Sequence, residues 1–153
     1  MEEGTSKQII AYQIKLSGPL RDLFDINLSL LPVHLKSVHT GSEESSSTIR
    51  KRVEEARKRQ YERYGREICN SRVSYEILMK TSPLSPDQYR TLQQFSNKKN
   101  WSNRTQIKVI RLARTISDLE GSIGITDRSI WEAVKLNSLT ERKAGTGIKA
   151  NGL

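Results

Sequence analysis

The stretch from Ser102 to Gly121 constrains the fold most, because it predicts one long helix with both ends specified. Ser102 suits the N-cap, where its hydroxyl accepts a bond from an otherwise unpaired backbone N–H, and Gly121 suits a left-handed C-cap. Apolar residues recur between them at helical spacing and predict a buried stripe: Val109, Leu112, Ala113, Ile116 and Leu119, widened by Ile107 and Ile110. We therefore expect a helical fold organised around this segment.

A second face of the same predicted helix is cationic. Arg104, Lys108 and Arg111 recur at steps of four and three, so they line one side of the helix. A guanidinium-rich face near a helix N-terminus suits a phosphate. Most basic stripes are only solvated surfaces, however, and the spacing alone leaves both interpretations open.

The basic charge of the chain is concentrated after residue 48. Residues 1–48 carry four Lys/Arg and six Asp/Glu (−2), residues 49–79 nine and five (+4), and residues 80–153 thirteen and six (+7), which sums to +9. Hydrophobic residues make up 35% and aromatics 6%, so we expect a modest helical core. The charge points to nucleic acid, nucleotide phosphate or an acidic partner surface, although basic surfaces also serve solubility alone.

The residue patterns that usually carry covalent chemistry are absent. The single cysteine, Cys69, excludes a disulfide within the chain, and His34 and His39 have no partners at metal-ligand spacing. The sequence contains no phosphate-binding Gly-x-x-x-x-Gly-Lys-Ser/Thr motif, no acid pair after a hydrophobic strand and no nucleophile–base set. We therefore expect no catalytic residue and no metal site in this chain.

The sequence also carries no signal for a membrane or for export. No apolar run reaches the roughly 18 residues of a candidate transmembrane helix. The acidic start Met-Glu-Glu-Gly argues against a secretory signal. The expectation is a cytoplasmic protein without a membrane partner.

Four further helices are predicted, over residues 48–64, 74–80, 86–97 and 127–137. The helix at 48–64 is predicted to begin with a cap at Ser46 or Ser47 and to stop at Gly65. The helix at 86–97 begins with a capping box of Ser85 and Gln88, and the helix at 127–137 with a cap at Thr126. Their predicted core-facing residues are Ile49, Val53, Ala56, Gln60 and Tyr64, then Tyr75, Leu78 and Met79, then Tyr89, Leu92 and Phe95, and last Ile130, Ala133 and Val134.

One strand is predicted before these helices. Phe24, Ile26, Leu28 and Leu30 alternate with polar residues, which is the period of a strand. A single strand cannot form a sheet, so the chain is expected to be a piece of something larger. The Ser/Glu-rich residues 32–48 are expected to be a disordered linker, and the tail from residue 140 is also expected to be disordered.

Several motifs occur in an order that resembles a known family. They are Ser17-Gly-Pro-Leu-x-Asp-x-Phe-Asp25, Ser45-Ser-Ser-Thr-Ile-Arg-Lys-Arg-Val, Leu84-Ser-Pro-Asp, Ser102-x-Arg104 and Arg111-Leu-Ala-Arg-Thr-Ile-Ser-Asp-Leu-Glu-Gly121. From about residue 7 to residue 139, the sequence resembles the C-terminal portion of the bacterial Mg-chelatase-like AAA+ ATPases of the ComM/YifB type.

The resemblance implies an architecture and a larger assembly. Residues 1–44 would form the C-terminal edge of an AAA+ core, with the lone strand as its last strand, and are expected to be mostly mobile in isolation. Residues 45–139 would form a helical lid of four to five helices, followed by the disordered tail 140–153. The ATP-binding core would lie upstream. The longer protein would bind ATP and Mg²⁺ and form a homo-oligomeric ring, with DNA as a further candidate partner, and this chain alone would bind no cofactor.

The resemblance also implies roles for particular residues. Arg104 matches the sensor-2 arginine, whose guanidinium can reach the terminal phosphate of ATP in its own or a neighbouring subunit. The family usually has an arginine finger where Leu23 stands here, and Arg21, two residues earlier, is either a substitute or an ordinary surface arginine. Lys108, Arg111 and Arg114 are candidate DNA or phosphate contacts.

Three functions follow from these observations. The first is a C-terminal lid that contributes nucleotide sensing and subunit contacts to a ring-shaped motor that processes DNA. The second, from the +11 charge of residues 49–153 (+4 and +7), is a stand-alone basic helical module that binds nucleic acid. The third, a fragment of a Mg-chelatase ATPase subunit, depends on the shared fold alone.

Overall fold

The computed structural model describes residues 23–28 and 44–138, together with the single residues Gln8, Ala11 and Leu20. Residues 44–138 form a bundle of five helices, as the sequence predicts, and no residue within the described ranges belongs to a strand. The helices are α1 (Ser46–Tyr64), α2 (Tyr75–Thr81), α3 (Pro86–Lys99), α4 (Asn103–Leu119) and α5 (Asp127–Asn137).

Local capping residues set the ends of most of these helices. The predicted capping box of α3 is present, since Ser85 accepts from the backbone of Gln88 and the Gln88 side chain accepts from the backbone of Ser85. Thr126 caps α5 as predicted. The cap of α1 is Ser45 and not Ser46 or Ser47, because the Ser45 hydroxyl lies 3.2 Å from the backbone nitrogen of Thr48.

Helix α4 begins and ends close to the predicted residues. The Ser102 hydroxyl accepts from the backbone of Thr105 at 3.1 Å, so Ser102 is the N-cap. At the other end Glu120 is the C-cap, and Gly121 follows it with φ +78°. The backbone of Ser122 donates to Ser117 and that of Gly121 to Asp118, which is the hydrogen-bond pattern of a Schellman motif.

The core of the bundle is built around α4. This helix packs closely against α5 and α1, and α3 packs against α5. The buried apolar residues come from every part of the bundle: Ala56, Val73, Leu78, Leu92, Val109, Ile110, Ala113, Ile116, Ile125, Ile130, Ala133 and Val134. The predicted stripes of α4 and α5 are therefore largely confirmed.

Several residues predicted to face the core are exposed instead. Ile49 and Val53 are 42% and 45% exposed, because the first half of α1 has no apolar partner among the described residues. The stripe of α1 is buried only at Ala56 and Gln60, where the helix passes α4. Tyr75 and Tyr89 are also exposed, since the short α2 buries only Leu78 fully, and α3 buries Leu92 and Ser96.

Residues 23–28 lie against the bundle and do not form the predicted strand. The described part of that strand, Phe24–Leu28, contains a bend at Asp25 and no ladder pairing. The physical reason is that none of the described residues offers a partner strand, and the backbone of Asn27 donates instead to Leu136 of α5 at 2.7 Å. The remainder of the predicted strand, the predicted linker up to residue 43 and the predicted tail from residue 140 lie outside the described residues.

Candidate functional site

Arg104 lies in the first turn of α4, directly after the Ser102 cap. Its side chain is exposed, and no hydrogen bond or ion pair joins it to another described residue. The unpaired backbone N–H groups at a helix N-terminus carry partial positive charge, which adds to the charge of the guanidinium. This end of α4 is therefore well suited to attract an anion.

Arg104 borders a cavity of about 520 Å³ between α4, the α1–α2 connection and the segment 23–28. The lining residues are Leu23, Asp25, Ser71, Asn103, Arg104, Ile107, Lys108, Arg111, Leu112 and Thr115. Among the described lining residues, three side chains are cationic and one is a carboxylate, a net charge of +2. The structure thus brings three of the predicted phosphate contacts to one cavity: Arg104, Lys108 and Arg111.

Lys108 and Arg111 are already bound to backbone carbonyls at the edges of this cavity. The Lys108 ammonium donates to the carbonyl of Phe24 at 2.6 Å, and Arg111 Nη2 donates to the carbonyl of Val73 at 2.6 Å. The Nε of Arg111 is buried and has no hydrogen-bond partner among the described residues. Lys108 and Arg111 therefore hold the walls of the cavity in place, and Arg104 is the most exposed cation of the three.

Arg114 does not join this site, which corrects its prediction as a DNA or phosphate contact. Its side chain is fully buried. Arg114 Nη2 lies 2.7 Å from Asp118 Oδ1, and the guanidinium also donates to the carbonyls of Ser122 and Ile123 at 2.8 and 2.9 Å. With these partners it cannot reach a phosphate at the surface, because the α4–α5 connection covers it.

Asp118 is the centre of a buried polar network that the sequence prediction missed. It accepts hydrogen bonds from Arg63 of α1, Arg114 of α4 and Asn70 of the α1–α2 connection. Burial alone would raise the pKa of Asp118, but hydrogen bonds from Arg63, Asn70 and Arg114 outweigh it and hold that pKa below its usual range. The one sequence signal for this network was the four-residue spacing of Arg114 and Asp118.

The predicted finger region is only partly described. Leu23, at the position where the resemblance predicts an arginine finger, is 57% exposed and lines the cavity. Arg21, the predicted substitute, lies outside the described residues, as do His34 and His39. Asp25 and Ser71 also line the cavity, and neither was singled out as a site residue, because only the tertiary fold brings them to α4.

Two classes of site are not found within the described part of the chain. Residues 23–28 and 44–138 contain no group of three or more His, Cys, Asp or Glu residues that could hold a metal ion. No described helix is long and apolar enough to cross a membrane.

The five-helix fold agrees with the comparison of this chain with known protein families. The family model "Magnesium chelatase, subunit ChlI C-terminal" matches residues 43–137. The chain therefore belongs to this family, which makes it a C-terminal lid portion of a Mg-chelatase-like AAA+ protein.

Within that family the similarity extends to ComM/YifB-type proteins. The chain is 34% identical over 137 residues to the uncharacterized protein YifB of Salmonella typhimurium, covering 88% of this chain and 27% of that protein. It is 29% identical over 130 residues to the competence protein ComM of Haemophilus influenzae, covering 84% of this chain and 25% of that protein. The chain thus spans about a quarter of the length of these relatives.

Proposed function

We propose that this chain is a lid that senses nucleotide through Arg104 and contributes contacts between subunits. The complete protein, on this proposal, is a ring-shaped cytoplasmic motor that uses ATP and Mg²⁺ to act on DNA. An upstream core binds the nucleotide and carries the catalytic residues, while this chain alone holds neither ATP nor Mg²⁺. Arg104 contacts the ATP of its own subunit or of the neighbouring one.

The observation that carries this proposal is the position of Arg104. It is an exposed guanidinium in the first turn of a capped helix, at the edge of a cavity whose described lining residues carry a net charge of +2. A planar guanidinium forms two parallel hydrogen bonds to phosphate oxygens, and these are stronger than bonds between neutral groups. The geometry therefore favours a phosphate group as the ligand. Similarity to a competence protein supports the link to DNA, since competence is the uptake of DNA.

We expect Arg104→Ala in the complete protein to lower ATP turnover by about 10- to 100-fold. This range corresponds to the loss of one hydrogen bond to a charged group, about 1.5–3 kcal/mol, from the transition state. ATP-dependent assembly of subunits should weaken in parallel. Steady-state turnover and sedimentation at increasing ATP concentrations measure the two effects.

Arg128→Ala is the matched control for this experiment. Arg128 is also an exposed arginine at the second position of a capped helix, α5, but it does not line the cavity and lies 3.4 Å from Glu120. Turnover and assembly should stay at their normal values in this variant. If Arg104→Ala leaves both properties unchanged as well, Arg104 is not a nucleotide sensor.

Direct binding of nucleic acid is a second candidate function, which the surface of α1 favours. Nine Lys/Arg residues occur in residues 50–72. Arg50 and Lys51 are exposed and border a shallow groove with Ser46, Ser47 and Glu54. Other cations of α1 have acidic partners, such as Arg52 with Glu44, so only part of the charge is available to a phosphate backbone.

A Mg-chelatase subunit remains a third alternative that only the shared family supports.

If α1 binds nucleic acid, the 153-residue chain should bind DNA at about 50 mM salt and lose affinity steeply as salt increases, because binding releases condensed counterions. Fluorescence anisotropy with a labelled duplex measures this dependence. Arg50→Ala with Lys51→Ala should reduce the salt slope by about one to two units, one for each lost phosphate contact. No binding at about 50 mM salt would exclude this function.

A further inference from the structure

Two asparagines join the segment 23–28 to the end of α5. The side-chain nitrogen of Asn27 donates to the backbone carbonyl of Asn137 at 3.1 Å. In return, the side-chain nitrogen of Asn137 donates to the backbone carbonyl of Asp25 at 3.3 Å. The backbone N–H of Asn27 also donates to Leu136 at 2.7 Å. These three bonds connect parts of the chain that lie more than 100 residues apart in sequence.

Apolar burial explains only part of why this segment lies on the bundle. Phe24, Ile26 and Leu28 are 49%, 47% and 70% exposed, and Asn27 is less exposed than any of the three. Four hydrogen bonds join this segment to the described part of the bundle: the three of the two asparagines and the bond from Lys108 to the carbonyl of Phe24. Three of these four hydrogen bonds involve Asn27 or Asn137.

The position of this segment matters for the cavity. Leu23 and Asp25 form one of its walls, opposite the face of α4 that carries Arg104, Lys108 and Arg111. Asp25 is the only carboxylate among the described residues that line the cavity, so its position affects the charge at the site. If residues 23–28 moved away from the bundle, the cavity would lose a wall and the negative charge of Asp25.

We propose that Asn27 and Asn137 form a clasp, and that Asn137 is a positioning residue for the cavity. The clasp fixes residues 23–28 on the lid and so places Leu23 and Asp25 beside the cationic face of α4. Residues 23–28 and the helical lid then move as one body. The effect of the clasp on nucleotide sensing rests on the function proposed for Arg104, but the clasp itself does not.

Hydrogen exchange of the 153-residue chain tests the clasp directly. In Asn137→Ala, the amides of residues 23–28 should exchange about 2- to 10-fold faster, as expected for the loss of one hydrogen bond. Amides in the core of α4 and α5 should keep their normal rates. Asn27→Ala should give the same result, because it removes the other half of the clasp.

Asn97→Ala is the matched control, since Asn97 is an exposed helical asparagine of α3 that forms no hydrogen bond with residues 23–28. This variant should leave the exchange of residues 23–28 unchanged. An unchanged melting temperature for Asn137→Ala shows that its effect is local. If residues 23–28 exchange equally fast in the normal chain and in Asn137→Ala, the clasp does not hold them.

Turnover by the complete protein separates this inference from the proposed function. Asn137→Ala should raise the ATP concentration that gives half-maximal turnover, because the cavity loses its ordered wall. If Arg104→Ala changes the ATP dependence and Asn137→Ala does not, Asn137 is not a positioning residue for the site. If Arg104→Ala has no effect, the sensor assignment is wrong, and the exchange measurement alone then decides whether the clasp exists.

Discussion

Asp118→Ala is expected to destabilise the bundle by about 3–5 kcal/mol, the usual cost of removing one partner from a buried ion pair. The carboxylate is fully buried, and its oxygens accept hydrogen bonds from Arg63, Arg114 and Asn70. Without it, Arg114 would remain buried as an uncompensated cation. Urea unfolding followed by circular dichroism would measure the difference in the free energy of unfolding.

The same carboxylate makes stability depend on pH in acid. The pKa of Asp118 is lower in the folded chain than its usual value of 3.8, so the unfolded chain binds the proton more readily. The stabilisation is therefore fully present above about pH 4 and is lost as the pH falls toward the lower folded pKa. In Asp118→Asn this part of the acid dependence should disappear.

Glu120→Ala is the control for both measurements. Glu120 follows two residues later on the surface; its side chain is 28% exposed, and that of its ion-pair partner Arg128 is 81% exposed. An exposed pair of this kind contributes about 0–1 kcal/mol, so the free energy of unfolding should change little. A loss of less than about 1 kcal/mol in Asp118→Ala would show that the buried network contributes no more than a surface pair.

Local sequence signals predicted the helices well because the residues that determine their ends are adjacent to them in sequence. The Ser102 cap and the Ser85–Gln88 capping box each depend on groups within three residues. Gly121 adopts the left-handed backbone conformation that the turn directly after α4 requires, and this requirement is likewise local in sequence. The first turn of α4, with Arg104 behind its cap, could therefore be placed from the sequence alone.

Burial was harder to predict because it depends on which helix covers a given face. Ile49 and Val53 continue the stripe that Ala56 and Gln60 bury, yet only the second half of α1 passes α4. The two ends of α4 differ in the same way. The N-terminal half faces a cavity, whereas α1 and the α4–α5 connection enclose Arg114. Helical spacing describes one helix and carries no information about its neighbours.

The candidate site, too, combines features that follow from residues close in sequence with features that only the tertiary fold brings together. The cationic face of α4 follows from spacing, but Asp25 and Ser71 reach it only through the tertiary fold. Asn27 and Asn137 have no pattern in common, and their hydrogen bonds span 110 and 112 residues. Contacts of this kind leave no periodic trace in a single sequence, so the wall of the cavity could not be predicted.

Arg114→Ala is expected to destabilise the chain by about 3–5 kcal/mol, whereas Arg104→Ala should change its stability by no more than about 0.5 kcal/mol. Arg114 is fully buried and bonded to Asp118, Ser122 and Ile123, so its loss leaves a buried carboxylate and two carbonyls with fewer donors. Arg104 is exposed, and no described partner depends on it. Urea unfolding of the two variants in the 153-residue chain measures both values.

The two variants together separate a structural arginine from the proposed sensing arginine within one helix. In the complete protein, Arg114→Ala should lose turnover only to the extent that its lid unfolds, so cooling or a stabilising solute should restore activity. Arg104→Ala should remain folded and keep its lowered turnover under the same conditions, because the proposed defect lies in contact with phosphate and not in folding. The opposite outcome would be an Arg114→Ala variant that is as stable as the unchanged chain and yet fails to respond to ATP. That result would contradict the buried network, because the Arg114 guanidinium would then have to leave the core and act at the site.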